Sequence, residues 1–198
     1  ILGVGGVLGD GAISTSQNPT HIYTSAGQWT VTLTITDAHG CSDTETKTSY
    51  IDANQPPSAD FSATPTSCCT PLQVNFSDQS TVGSNAIVNW LWTFGDGAIS
   101  TSQNPTHTYT TAGQWTVTLT ITDAHGCSDT ETKISFIDAS QPPIADFHAA
   151  PTSCCTPLEV SFSDESLAGS NTIAQWLWTS GDSSVSTSQN PTHTYTTA

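Results

Sequence analysis

The stretch Gly9-Asp10-Gly11-Ala12-Ile13-Ser14-Thr15-Ser16-Gln17-Asn18-Pro19-Thr20-His21 returns letter for letter at residues 95–107, and a looser version runs from 181 to 193, so the chain has a period of 86 residues. A period this long is the size of a small domain and too long for one turn of a solenoid. Each copy is therefore expected to build a core of its own. Only residues 55–140 hold a whole unit; residues 1–54 match its second part (87–140) and residues 141–198 match its first part (55–112). The expected organisation is one complete domain, 55–140, flanked by two partial ones, 1–54 and 141–198.

Seventeen Asp and Glu stand against two basic residues, Lys47 and Lys133, giving a formal charge of −15. Such a charge repels phosphate backbones and anionic lipid, which excludes nucleic acid and anionic membrane surfaces as partners. No apolar run is long enough to span a bilayer, so membrane insertion is not expected. Methionine is absent, and residues 1–8 lack the basic start and the length of a signal peptide. The expectation is a processed product or a slice of a longer polypeptide. The scarcity of Lys and Arg also removes trypsin-type cleavage sites, which suits a protein exposed to proteases.

Six cysteines fall in register: Cys68 and Cys69 repeat as Cys154 and Cys155, and Cys41 repeats as Cys127. Their spacing is not the paired CxxC of a zinc site, and no histidine follows at ligand spacing. Disulfides are the better reading. They imply an oxidising compartment, hence an extracellular or cell-surface protein.

Gln114-Trp115-Thr116-Val117-Thr118-Leu119-Thr120-Ile121-Thr122 alternates apolar residues with threonine, the period of a strand with one buried face. Trp115, Val117, Leu119 and Ile121 are expected to point into a core. Leu72, Val74 and Phe76 mark a second strand, Val88, Trp90, Trp92 and Phe94 a third, and Ile134, Phe136 and Asp138 a final one. Turn formers separate them: Gly95-Asp96-Gly97, Asn104-Pro105, Ala112-Gly113 and Ala124-His125-Gly126. No stretch carries a useful helical period. Short strands with turns every 8–12 residues predict an all-β fold of tandem antiparallel β-sandwiches. Gln55-Pro56-Pro57 and Gln141-Pro142-Pro143 fall at the seams, where proline makes a short, stiff linker, so the domains are expected to lie end to end.

Four blocks carry a family resemblance. Trp92-Thr93-Phe94-Gly95-Asp96-Gly97, Asn104-Pro105-Thr106-His107-Thr108-Tyr109, Gly113-Gln114-Trp115-Thr116-Val117-Thr118-Leu119 and Thr122-Asp123-Ala124-His125-Gly126 resemble, in this order and spacing, the polycystic kidney disease (PKD) domain. The resemblance covers 55–140 and both partial copies, and it implies immunoglobulin-like sandwiches, one complete and two partial. Such domains serve as tandem spacers in extracellular proteins and as accessory modules beside bacterial proteases, collagenases and chitinases. Two departures stand out. Residues 1–8 replace 87–94 without either strand tryptophan, and Thr179-Ser180-Gly181-Asp182-Ser183 replaces Thr93-Phe94-Gly95-Asp96-Gly97.

The side chains that invite a functional reading mostly have a structural one. A glycine-flanked Asp96 at a strand end reads as a turn bonded to local backbone. His107 lacks a nucleophile or metal partner in any catalytic motif, and Tyr109 reads as a corner tie through its hydroxyl. No enzyme activity is expected. Trp90, Trp92 and Trp115 share their faces with valine and leucine, so they read as core and not as a sugar platform. Leu91 and Leu177, on the opposite face, are exposed apolar residues that mark a contact. Members of the family that bind calcium use a carboxylate-rich loop after the second strand, whereas residues 79–85 here offer neutral oxygens only. The expected cofactor is none, with calcium the one cation the resemblance leaves open. Asn75-Phe76-Ser77 is the only sequon, since proline blocks every Asn-Pro-Thr; Asn75 points outward by the alternation and is the glycosylation candidate.

An immunoglobulin-like topology puts the corner holding Cys68 and Cys69 at the pole opposite the hairpin holding Cys127, which argues against a bridge between them within one domain. The resulting expectation is a staple from one cysteine of each pair to the hairpin cysteine of the next repeat. Intradomain or vicinal Cys68–Cys69 pairing is the rival.

The primary reading is a structural filament of end-to-end domains. Copies of the chain are the expected partners, with residues 141–198 completed by strands from residues 1–54 of a neighbour. The alternative is an adhesin stalk or a polysaccharide-binding accessory module of a secreted protein, with glycans as partners.

Overall fold

The structure is a computed structural model that describes residues 3–196. Ile1, Leu2, Thr197 and Ala198, at the outer limits of the two partial units, lie outside the described residues. Every regular element is a strand. Residues 3–53 form one sheet from β1 (Gly3–Val7), β2 (Ile13–Ser14), β3 (Gly27–Thr36) and β4 (Ser42–Ala53), in the order β2-β1-β3-β4.

The central repeat holds two sheets. β5 (Phe61–Thr64), β7 (Leu72–Asp78) and β10 (Thr106–Tyr109) form a three-stranded sheet in the order β10-β7-β5. β6 (Ser67–Cys69), β8 (Ile87–Thr93), β9 (Ile99–Ser100), β11 (Gly113–Asp123) and β12 (Ser128–Ser140) form a five-stranded one, β6-β12-β11-β8-β9. All pairings are antiparallel except β6 with β12. In the third repeat β13 (Phe147–Ala150), β14 (Leu158–Asp164) and β17 (Thr192–Tyr195) reproduce the three-stranded sheet, beside a hairpin of β15 (Trp178–Thr179) and β16 (Val185–Ser186).

The core of the central repeat follows from strand alternation. Val117, Leu119 and Ile121 of β11 face Leu72, Val74 and Phe76 of β7, with Phe61, Trp92, Phe94 and Tyr109 between them, all fully or nearly fully buried. Phe61 and Phe76 meet the Trp92 ring at 5.2 and 5.5 Å between centroids. Burial of an apolar side chain of this size contributes about 1.5–3 kcal/mol. The sandwich is latched along one edge by charge: Asp129 Oδ2 accepts the Ala59 N–H at 2.8 Å, and Lys133 Nζ donates to Asp60 Oδ1 at 2.9 Å and to the Phe61 carbonyl. Asp129 and Lys133 lie on the part of β12 beyond its three-residue pairing with β6, where half-buried charges also discourage strand addition.

Two strand assignments differ from the plain alternation. In β12 the buried residues are Ile137 and Ala139, while Ile134 is 80 % exposed and Phe136 only half-buried. A β-bulge interrupts the pairing there: the β11/β12 register slips by two residues between Trp115 and Val117, with Ser135 at φ 49°. This keeps the inner face of β12 running from Asp129, Glu131 and Lys133 to Ile137 and Ala139 and leaves Ile134 outside. In β8 Trp92 is buried, but Val88 is exposed where the register slips between Thr122 and Asp123.

Candidate functional site

Asp96 lies between two glycines in the β8–β9 turn. Its Oδ1 accepts the Ala98 N–H at 3.0 Å, and its Oδ2 accepts the His107 Nε2–H at 2.7 Å. The His107 ring stacks on Phe94 (4.4 Å between centroids, 6° between planes) and meets Tyr109 edge-on at 4.6 Å. The Tyr109 hydroxyl donates to the Phe94 carbonyl at 3.0 Å. Asp, His and Tyr thus lie within a few ångströms of one another, as in many catalytic sites, but both carboxylate oxygens, the imidazole Nε2 and the hydroxyl are engaged locally. Burial acts to raise the Asp96 carboxyl, yet hydrogen bonds from Ala98 and His107 outweigh it and hold it below the usual range. Burial, helped by the Asp96 charge, pushes the Tyr109 phenol far up. A phenol so disfavoured as an anion serves as a donor and not as a base.

The same lock appears in the partial units. His21 reaches Asp10 and His193 reaches Asp182, both at 2.7 Å, and the Tyr23 and Tyr195 hydroxyls donate to the Leu8 and Ser180 carbonyls at 2.8 and 3.1 Å. The lock forms with or without a complete sandwich around it.

A second carboxylate, Asp78, accepts the indole N–H of Trp90 at 2.8 Å and the side-chain N–H of Gln103 at 3.0 Å, and its Oδ1 accepts the Ser80 N–H. Asp164 does the same with Trp176, Gln189 and Ser166. The alternation identified Trp90 as an inward residue but gave no sign of this long-range carboxylate partner. Trp92 is fully buried, its indole N–H donating to the Ser102 carbonyl. Trp90 and Trp115 are half-buried, and the Trp115 ring stacks on Tyr109. The three do not form a common platform. Leu91 and Leu177 lie exposed on the outer side.

Among the described residues no three His, Cys, Asp or Glu side chains come together as a metal-holding group. Asn75 is exposed in the middle of β7. Cys41, Cys68, Cys69, Cys154 and Cys155 are exposed and Cys127 is half-buried. Cys68 pairs with Ala139 at one end of β12, while Cys127 immediately precedes the other end. At about 3.3 Å per residue these positions lie more than about 30 Å apart.

Comparison with known proteins then places the chain. The PKD domain model matches residues 7–53, 54–137 and 140–198, nearly the whole length. The chain belongs to the PKD domain family. Over 63 residues the chain is 43 % identical to a microbial collagenase of Vibrio alginolyticus, covering 32 % of this chain and 8 % of that protein. It is 43 % identical over 67 residues to the pre-pro-metalloprotease PrtV of Vibrio cholerae, covering 34 % of this chain and 7 % of that protein. The crystal structure of the PKD1 domain of PrtV matches with 38 % identity over 43 % of this chain and all of that domain, at a TM-score of 0.38. PKD repeats thus make up nearly all of this chain, whereas the matched stretch is under a tenth of either relative. No helix among the described residues is long and apolar enough to cross a membrane.

Proposed function

We propose that this chain is a non-catalytic accessory region of a secreted protein, a row of PKD repeats that positions a neighbouring part of that protein against an extracellular polymer. The observation that carries this reading is the fate of the chemically capable side chains: in each copy the aspartate binds the histidine and a local backbone N–H, and the tyrosine hydroxyl binds a backbone carbonyl. The relatives support it over a filament, since collagenases and a metalloprotease carry the matching stretch as a small part of a larger polypeptide. Collagen and neutral polysaccharide are the polymers to test, an acidic surface being unsuited to polyanions. Co-sedimentation with insoluble collagen, chitin and cellulose tests this directly. Retention on one of them is expected, and full recovery in the supernatant with all three would remove polymer engagement and leave a spacer.

A specific observation favours a second reading, self-association. Leu33 and Ile35 are 45 and 42 % exposed and Phe147 is 57 % exposed, whereas their counterparts in the central repeat, Leu119, Ile121 and Phe61, are buried. A cavity of about 440 Å³ opens beside Phe147, Phe162, Ile173 and Trp178. In this reading such faces pack against the complementary sheet of another repeat, as β5-β7-β10 packs on β11 and β12. Light scattering across a concentration series separates the cases: growth of mass with concentration, abolished by Leu33→Glu, is the self-association outcome.

A further inference from the structure

Gly83 and Ser84, in the loop between β7 and β8, press on the linker that enters the central repeat. The Gln55 N–H donates to Ser84 Oγ at 2.8 Å, and the Ser84 N–H returns a hydrogen bond to the Gln55 carbonyl at 3.0 Å. A side-chain carbon on Gly83 would overlap the Gln55 and Pro56 carbonyls. Glycine is needed here for close backbone approach, not for a left-handed conformation. Three residues on, Ser58 exchanges two backbone hydrogen bonds with Thr81, each 2.9 Å.

The next seam repeats every part of this arrangement. Gln141 N–H donates to Ser170 Oγ at 2.6 Å, Ser170 N–H donates to the Gln141 carbonyl at 3.0 Å, and Ile144 exchanges two bonds of 2.9 Å with Leu167. A side chain on Gly169 would overlap the Gln141 and Pro142 carbonyls. The preceding repeat holds the other side of each seam. Ala53 pairs with Gly27 in β3, leaving Asn54 as the single residue between the two grips. Ser140 pairs with Cys69, and its carbonyl accepts the Thr70 N–H at 2.8 Å, leaving no free residue before Gln141. Asn171 also reaches across to Ser140 Oγ at 3.4 Å.

A hinge needs backbone dihedrals held by neither side. With at most one such residue, and with φ of the following prolines fixed, these seams have almost none. We infer that the Gly83-Ser84 and Gly169-Ser170 loops are clasps that set a fixed angle between successive repeats, making the chain a stiff strut whose equivalent surfaces recur at constant spacing and rotation. The inference holds whichever polymer the chain engages.

The test is backbone NMR relaxation and residual dipolar couplings on the whole chain, with Gly169→Val and Ser170→Ala beside it. In the unaltered chain, the Ser140, Gln141 and Ile144 amides, which flank Pro142 and Pro143, are expected to have order parameters near those of strands, about 0.85, and the second and third repeats are expected to share one alignment tensor. Gly169→Val is expected to split that tensor while amide shifts within 55–140 stay in place. Ser170→Ala, which removes one hydrogen bond and no bulk, covers the case in which the valine variant unfolds the third repeat; it is expected to lower the seam order parameters. Order parameters below about 0.6 at the seam of the unaltered chain, or different tensors for its two repeats, would overturn the clasp. So would one shared tensor in a folded Gly169→Val variant.

Discussion

Tyr109 donates its hydroxyl hydrogen to the carbonyl of Phe94, 15 residues upstream, and the ring that spans this distance is wholly buried. The bond ties the β10 end to the turn after β8, across the two sheets. Removing the donor strands a buried carbonyl, so Tyr109→Phe is expected to destabilise the central repeat by about 1–3 kcal/mol. Urea unfolding monitored by fluorescence measures this, and a midpoint equal to that of the unaltered chain would refute the tie.

Trp92→Ala is expected to cost about 3–5 kcal/mol, the range for truncating a large buried aromatic. Trp178, its counterpart in the third repeat, is only partly covered, so Trp178→Ala is expected to cost clearly less. Calorimetry on the two variants compares them in one experiment; equal losses would mean the two sites are equally packed in solution.

Ser183 stands at the turn position that Gly97 holds in the central repeat, with φ 74° against 95°. A left-handed conformation costs a residue with a Cβ about 1–2 kcal/mol. Ser183→Gly is therefore expected to stabilise the third repeat by up to about 1 kcal/mol, and Gly97→Ala to destabilise the central one by a similar amount. Opposite signs in thermal melts are the signature.

Two carboxylates of the third repeat, Asp182 in the lock and Asp164 beside Trp176, set an acid limit. A hydrogen bond from His193, followed by one from the Ser184 backbone, brings Asp182 down to about 2, and the Ser166 hydroxyl and N–H bring Asp164 to about 2. Because these values lie below the unfolded one of about 3.9, the carboxylates contribute stability above about pH 4 and lose it as pH falls towards 2. Urea midpoints should be level between pH 7 and 4 and fall below that; a level profile down to pH 2 would contradict the lock.

The register of β12 forbids a bond between Cys127 and either Cys68 or Cys69 of the same repeat, since a disulfide needs Cα atoms within about 7 Å. Peptide mapping of oxidised material should contain no such intramolecular link. Detecting one would show that β12 is not the continuous strand from Ser128 to Ser140 described above.

Much of this was legible locally. The period of 86 residues, the alternation of Val117, Leu119 and Ile121, the Asp96 turn and the outward Asn75 all follow from neighbours along the chain. So does the family, whose blocks are short and ordered. Three things were not legible. Ile134 and Phe136 looked like the inward residues of β12, but the register against β11 puts Lys133 and Ile137 on the inner face and Ile134 outside. Trp90 owed its anchoring to Asp78, and Gln55 its grip to Ser84, across 12 and 29 residues of sequence. Periodicity and turn chemistry are properties of adjacent peptide units, so sequence alone determines them. Which strand pairs at which register, and which distant carboxylate or loop meets a linker, depends on how two sheets fill one shared volume, and only the tertiary structure decides that.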